Sequence, residues 1–257
     1  MEALVLALER RTQILSRIQS AGNVVVSELS REFGVTDETI RRDLDRLAQE
    51  GLARKTYGGA VRADSTQSDL PYLVRSRTNV QGKRLMGQLT ADLIHDAASL
   101  ALDASTSALY VVKALSQKRA LTIITNSIEI LTESSGKQDW NILSTGGALK
   151  GNGLALVGRQ AERMLESFNV QWAIISCKGM DAEMGFMDSN EPDAEIKRAF
   201  IRQAARTIFL VDSTKLDRRS FVTIAPLSSA HTIVTDIKPD AEWLTRLAKI
   251  GVNVISP

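Results

Sequence analysis

The chain has 257 residues, 44% of them apolar, with 32 basic side chains against 30 acidic ones and a formal net charge of +2. That length holds one large domain or two unequal ones, and the apolar share is enough for a sizeable core. One cysteine, Cys177, excludes an internal disulfide and any multi-cysteine zinc site, and no window approaches the roughly 18 apolar residues of a membrane span.

The opening MEALVLALERR is interrupted by Glu9 too early for a signal peptide, so the expected compartment is the cytoplasm. Neither His95 nor His231 has a metal-like neighbour pattern, and no metal or cofactor is expected. Leu4, Leu8, Leu15 and Ile18 recur at helical spacing, and Ala21-Gly22-Asn23 ends that first helix.

Residues 26–61 then read as two short helices meeting at a turn, followed by a basic hairpin. Ser27 is placed to cap the first helix, and Gly34 to end it in a conformation that glycine adopts freely. Thr36 suits the N-cap of the second helix, with Asp37 and Glu38 in the first turn, where the helix dipole favours acids. Ile40, Leu44 and Leu47 form one buried stripe, which leaves Thr39, Arg41, Arg42 and Arg46 on other faces. Such a helix-turn-helix lays its second helix in a DNA major groove, where the arginines would reach phosphates or guanines. Arg54, Lys55 and Arg62 frame a Tyr-Gly-Gly turn with no acid between Leu52 and Arg62, as in a two-stranded wing that touches the DNA backbone or minor groove. The candidate DNA contacts are Thr36, Thr39, Arg41, Arg42, Arg54 and Lys55. An amphipathic helix pair with a merely solvated charged face would share part of this pattern.

The run DETIRRDLDRLAQEGLARKTYGGAV closely resembles the DNA-binding signature of DeoR-type bacterial transcriptional regulators. The resemblance covers residues 9–61 and implies an N-terminal winged helix-turn-helix. The expected organisation is a DNA-binding domain over residues 1–62, a linker over 63–78 and an α/β sensing and oligomerisation domain over 79–257. Ala63 to Asp69, ADSTQSD, is small and polar, and Pro71 disfavours a helix running through it.

Beyond the linker, helical and strand patterns alternate. Helices are expected over 80–97, 105–115, 127–133, 158–168, 191–205 and 241–249. Short apolar strands are expected over 100–102, 121–124, 140–144, 170–176, 207–211, 221–224, 231–235 and 252–255. This alternation predicts a mainly parallel sheet with helices on its faces.

Ligands of such sheets bind beyond the carboxyl ends of the strands. Four turns there are polar or small: Asp103-Ala104-Ser105-Thr106-Ser107, Thr125-Asn126-Ser127, Ser144-Thr145-Gly146-Gly147 and Asp212-Ser213-Thr214-Lys215. Hydroxyl residues opening a helix expose N–H groups to an anion. With Lys215 they could hold a phosphate, while Asp103, Asn126 and Asp188 could hydrogen-bond sugar hydroxyls. The same residue types are preferred N-caps, so capping alone explains any one turn; four in one domain favour a pocket.

This half is similar to the sensor domain of DeoR-type regulators, whose fold resembles ribose-5-phosphate isomerases and CoA-transferase-like proteins. The family's D-x-[GS]-[ST]-T loop is matched by Asp103-Ala104-Ser105-Thr106-Ser107, with Ser107 where threonine is usual. Its T-N pair corresponds to Thr125-Asn126, its G-G to Gly146-Gly147 and its D-x-[ST]-K to Asp212-Ser213-Thr214-Lys215. A glycine-led loop runs from Gly185 through Asp188 and Ser189, which depart from the commoner threonine wording, into a helix carrying Glu195 and Lys197-Arg198.

The resemblance implies a repressor of carbohydrate catabolism genes, relieved by a phosphorylated sugar and acting as a homo-oligomer, dimer or tetramer, on a repeated or palindromic DNA operator. It is not expected to be an enzyme. The alternative is a phosphosugar isomerase-like enzyme, with Glu191 or Glu195 as base and Lys215 on the phosphate. A protein-binding scaffold is a third possibility, against which the basic wing argues.

Overall fold

The structure is a computed structural model that describes residues 2–63, 72–150 and 154–257, with side chains from residue 7 onward. The Leu4 side chain and residues 64–71 of the expected linker, Pro71 included, lie outside the described residues. Contacts divide the chain into two compact units, Met1–Val80 and Gln81–Pro257.

The first unit runs α1 (Glu2–Ala21), β1 (Asn23–Val25), α2 (Val26–Phe33), α3 (Asp37–Gln49), β2 (Ala53–Thr56), β3 (Gly59–Arg62) and α4 (Tyr72–Arg77). Ile14, Leu15 and Ile18 of α1 meet Leu29 of α2 and Ile40, Leu44 and Leu47 of α3 in one core. Gly34 ends α2 with φ 62°, as expected, and the Thr36 side chain caps α3 by accepting from the Thr39 N–H at 3.3 Å. Thr36→Ala should therefore cost this unit about 1 kcal/mol of unfolding free energy in a urea titration.

Ser27 does not cap α2. Short strand β1, not anticipated, carries the chain directly into α2, so Val25 takes the N-cap position with no side-chain bond. β1 pairs antiparallel with β3, which also pairs with β2, so the wing is three-stranded at its base. Residues 72–78 were expected to be linker. Instead Tyr72–Arg77 is helical, and Val74 joins the core of this unit.

In the second unit α5 (Val80–Ala91) leads to β4 (Ser99–Leu102), α6 (Thr106–Ala114), β5 (Thr122–Thr125), α7 (Ile128–Ser134) and β6 (Asn141–Ser144). A hairpin of β7 (Ala148–Lys150) and β8 (Ala155–Val157) precedes α8 (Arg159–Leu165) and β9 (Val170–Ser176). Then come β10 (Gly179–Asp181), β11 (Gly185–Asp188), α9 (Glu191–Arg202), β12 (Ala204–Leu210), β13 (Val222–Ala225), β14 (Thr232–Val234), α10 (Ala241–Lys249) and β15 (Asn253–Ile255). The helix expected to reach residue 97 stops at Ala91, and Ala97 takes a left-handed turn with φ 59° into β4.

Seven of these strands form a parallel sheet in the order β15-β14-β12-β9-β4-β5-β6. Ile123, Ile124, Ile174, Ile175, Ile208, Phe209 and Leu210 are all buried, as strands covered on both faces require. β10, β11 and β13 form a separate antiparallel sheet, which removes residues 221–224 from the parallel one. Phe186 of β11 stacks on Phe209 of β12 with ring centroids 3.5 Å apart, joining the two sheets. The strand order reverses between β4 and β9. Asp103 follows one of these strands and Ser176 ends the other, so both stand at the topological switch point where open α/β sheets bind ligands.

Candidate nucleic-acid interface and ligand site

Each candidate DNA contact lies on α3, at its N-cap or on the wing. α3 buries Ile40, Asp43, Leu44 and Leu47 and leaves Arg41 and Arg42 exposed on its N-terminal half. Arg42 Nε donates to Glu38 Oε1 at 3.3 Å, both side chains well exposed. Such i,i+4 pairs are worth about 0.3–0.5 kcal/mol and yield readily to a phosphate. Arg54 is exposed on β2, and Lys55 pairs with Asp45, tying the wing to α3. Arg62 turns away and donates to the Gln19 carbonyl of α1. Thr36 and Thr39 hydroxyls lie 3.0 Å apart at the start of α3. The buried acid Asp43 within the apolar stripe was not anticipated, and Tyr57 of the Tyr-Gly-Gly turn is fully exposed at the wing tip.

In the second unit the polar turns converge. Asp103 accepts from the Ser105 N–H through Oδ1 at 3.2 Å and from the Ser176 N–H through Oδ2 at 3.1 Å. Ser176 Oγ receives Lys215 Nζ at 2.8 Å, and Lys215 also pairs with Asp212 at 3.1 Å. Lys197, from α9, pairs with Asp188 and reaches Asp103 Oδ2 at 3.4 Å. Asp103, Ser176, Lys215, Lys197 and Asp188 thus form one bonded network across the switch point. Asp103 and Asp188 are both 0% exposed. Both carboxylates, expected from the sequence to face sugar hydroxyls, share Lys197 as a partner, a residue not among the sequence candidates. Its signal was its place in α9: a lysine at a position packed toward the glycine-led loop.

The remaining candidates frame this network. Ser105 caps α6 by accepting from the Ala108 N–H at 3.0 Å, and Thr106 and Ser107 open that helix. Thr125 donates to the Leu102 carbonyl at 2.7 Å and accepts from the Ser127 N–H at 3.1 Å, so its hydroxyl holds the turn. Asn126 donates to the Leu156 carbonyl of β8 at 3.0 Å, while its Oδ1 is buried without a partner among the described residues. Gly146 and Gly147 both take positive φ, 61° and 104°, and a Cβ on Gly147 would lie 2.6 Å from the Val157 carbonyl oxygen. The hairpin β7–β8, also missed in the sequence, therefore packs directly on this turn. Its Lys150 pairs with Asp193 of α9 at 2.7 Å.

Charge states follow from these partners. Burial would push the Asp188 carboxyl up, but Lys197, Lys178 and the bonds from Lys197 and the Ser189 N–H outweigh it and hold it below its ordinary value. Burial would likewise lower Lys197, yet Asp188 and Asp103 raise it, so it stays charged. Burial raises Asp212 less than Lys215, Thr214 and Lys83 lower it. The Cys177 thiol, beside the network, is pushed up to about 12 by burial and is an inert filler.

Glu191 and Glu195, the carboxylates considered as an enzymatic base, both pair with Arg198, at 2.9 and 2.5 Å. The hydrogen bond from Arg198 lowers Glu191, the wrong direction for a general base near neutral pH. Among the described residues no group of histidine, cysteine and acidic side chains could hold a metal ion, and no helix is long and apolar enough to cross a membrane.

A family model described as the DeoR C-terminal sensor domain matches residues 78–237, and one described as the DeoR-like helix-turn-helix domain matches residues 10–66. The chain belongs to the DeoR family. It is a DNA-binding transcriptional regulator. It is 38% identical to the HTH-type transcriptional regulator YulB of Bacillus subtilis, over 97% of this chain and 96% of that one. It is 31% identical to the L-fucose operon activator of Haemophilus influenzae, over 87% and 89% respectively. It is 26% identical to the glycerol-3-phosphate regulon repressor of Escherichia coli, over 90% and 91%. Among solved structures, ribose 5-phosphate isomerase A of Methanocaldococcus jannaschii overlaps 54% of this chain and 55% of its own, with TM-score 0.39 and 12% identity, an overlap too slight to bear on activity.

Proposed function

We propose that this DeoR-family regulator represses carbohydrate-use genes in the cytoplasm and is released from its operator by a phosphorylated sugar. The network at the switch point carries this reading. The start of α6, Ser176 and Lys215 gather there, where a partly exposed lysine and a helix N-terminus both favour an anion. Asp103 and Asp188 hold Lys197 charged at the same place, and Asn126 Oδ1 offers an acceptor to a hydroxyl. The pocket residues in this reading are Asp103, Ser105, Thr106, Ser107, Thr125, Asn126, Gly146, Gly147, Asp188 and Lys215. Relatives named for a fucose operon and a glycerol-3-phosphate regulon support the substrate class, and the second supports repression.

Operators read by paired helix-turn-helix units repeat at helical-turn spacing, so a homo-oligomer would present two reading heads at once. The ligand acts through its different affinity for the DNA-competent and released states.

Thermal unfolding against a panel of sugar phosphates, with free sugars and inorganic phosphate as controls, tests the pocket. One phosphosugar at about 100 times its dissociation constant should stabilise the protein by about 2.7 kcal/mol, and Lys215→Ala should remove that shift. Stabilisation by every anion alike, or a full shift in Lys215→Ala, would refute the placement.

For the head, Arg41→Ala or Arg42→Ala should cost about 1–3 kcal/mol on the operator if the arginine reads a guanine bidentately. Binding unchanged in both variants would remove α3 from the groove.

A further inference from the structure

Asp43 breaks the pattern of its own helix. It lies on the face of α3 that buries Ile40, Leu44 and Leu47, and its side chain is only 5% exposed. Two arginines of α1 meet it: Arg10 Nε at 2.5 Å and Arg11 Nη1 at 3.7 Å. An apolar residue would fill the same place without desolvating a charge, and buried ion pairs are often no more stabilising than their apolar replacements. What the pair adds is direction. Leucine and isoleucine contacts tolerate small rotations and slides between helices, whereas a charge-assisted hydrogen bond fixes one geometry. Arg41 and Arg42 immediately precede Asp43, so any rotation of α3 about its axis swings both guanidinium groups. Bidentate recognition of a base edge does not survive such a swing.

We propose that the Arg10–Asp43 pair is a positioning device: it locks the rotation of α3 against α1 and so sets the angle at which Arg41 and Arg42 meet the DNA bases. This rests on the reading that α3 lies in the major groove. The pair touches no base itself. Its work is discrimination between DNA sequences rather than affinity for DNA in general, which the exposed cations supply through phosphates.

The test uses the full chain and a duplex that it selects from a random DNA library, with a shuffled duplex of equal length and composition as the reference. Fluorescence anisotropy gives both affinities at fixed salt. Asp43→Asn keeps the size of the side chain, and Arg10→Met/Asp43→Leu replaces the pair by apolar groups. In both, the selected-to-shuffled affinity ratio should fall about tenfold or more. Binding to the shuffled duplex should stay within about twofold, and the double variant should melt no lower than the parent.

A ratio unchanged in Asp43→Asn, or in a folded double variant, overturns the proposal. Should the double variant fail to fold, Asp43→Asn alone decides. Arg41→Ala and Arg42→Ala run beside them: a ratio preserved in both shows that the placement of α3, and not the pair, is what failed, and the proposal falls with it.

Discussion

Lys197→Met should destabilise the second unit by about 3–5 kcal/mol, the range for removing one partner of a buried ion pair, and should abolish ligand-induced stabilisation. The side chains of Asp188 and Asp103 are 0% and 1% exposed, and Lys197 is the ammonium group that pairs with both. Methionine keeps the length of the chain but leaves two carboxylates in a site that cannot hydrate them. Denaturant unfolding gives the loss directly. Adding Asp188→Asn to the variant should recover part of it, since one stranded charge is then gone. The parent protein should show the same physics with pH. Asp188 is held below its ordinary carboxylate value of 3.8, so its contribution is present above that value and lost as pH falls through the lower, folded one. Lys197 is held above 10.5, so its contribution is full below 10.5 and lost only as pH rises past the raised value. Stability should therefore be flat across neutral pH and drop in acid below about 4. A Lys197→Met protein as stable as the parent would mean that the network does not hold the site together.

Gly59→Ala should have the next largest effect and should strip the head of DNA binding. A Cβ at Gly59 would lie 1.9 Å from the backbone oxygen of Val24, on the strand that β3 pairs with. Backbone cannot rotate aside as a side chain can, so β1 and β3 must part. The cost should reach or exceed the upper end of the 1–3 kcal/mol usual for overpacking, about 3 kcal/mol. Val24 and Ala60, buried on either strand, would lose their packing with it. Gly58→Ala makes the comparison: Gly58 has φ 86° with open space around it, so only backbone strain of about 1–2 kcal/mol is expected. Operator affinity should fall at least tenfold for Gly59→Ala and far less for Gly58→Ala. Equal affinities would show that the base of the wing does not matter for reading.

The parts legible in the sequence were those fixed by local chemistry. Thr36 and Gly34 announce the turn between α2 and α3, because capping and left-handed φ are decided within a few residues. The apolar runs at 170–176 and 207–211 announced buried parallel strands for the same reason. The parts that were missed depend on partners far along the chain. β1 is three residues long and exists because β3 lies beside it; β7, β8 and β10 are as short, β11 is one residue longer, and all four pair antiparallel outside the parallel sheet. Asp103 and Asp188 stood out in the sequence as polar residues at strand ends, but their shared partner did not, since only the fold brings Lys197 between them. Nothing within a few residues of Asp43 marks it as buried, because its partner Arg10 comes from α1.

A phosphorylated sugar bound at the switch point is expected to control DNA binding. The measurement that tests it most directly is anisotropy titration of the full chain on its selected duplex, repeated with each member of the sugar-phosphate panel. One phosphosugar should weaken operator binding at least tenfold, free sugar and inorganic phosphate should not, and Lys215→Ala should bind the duplex normally while ignoring the ligand. Operator affinity that no phosphosugar changes at millimolar concentration, or an undiminished response in Lys215→Ala, would mean that no phosphosugar bound at the switch point controls the DNA-binding unit.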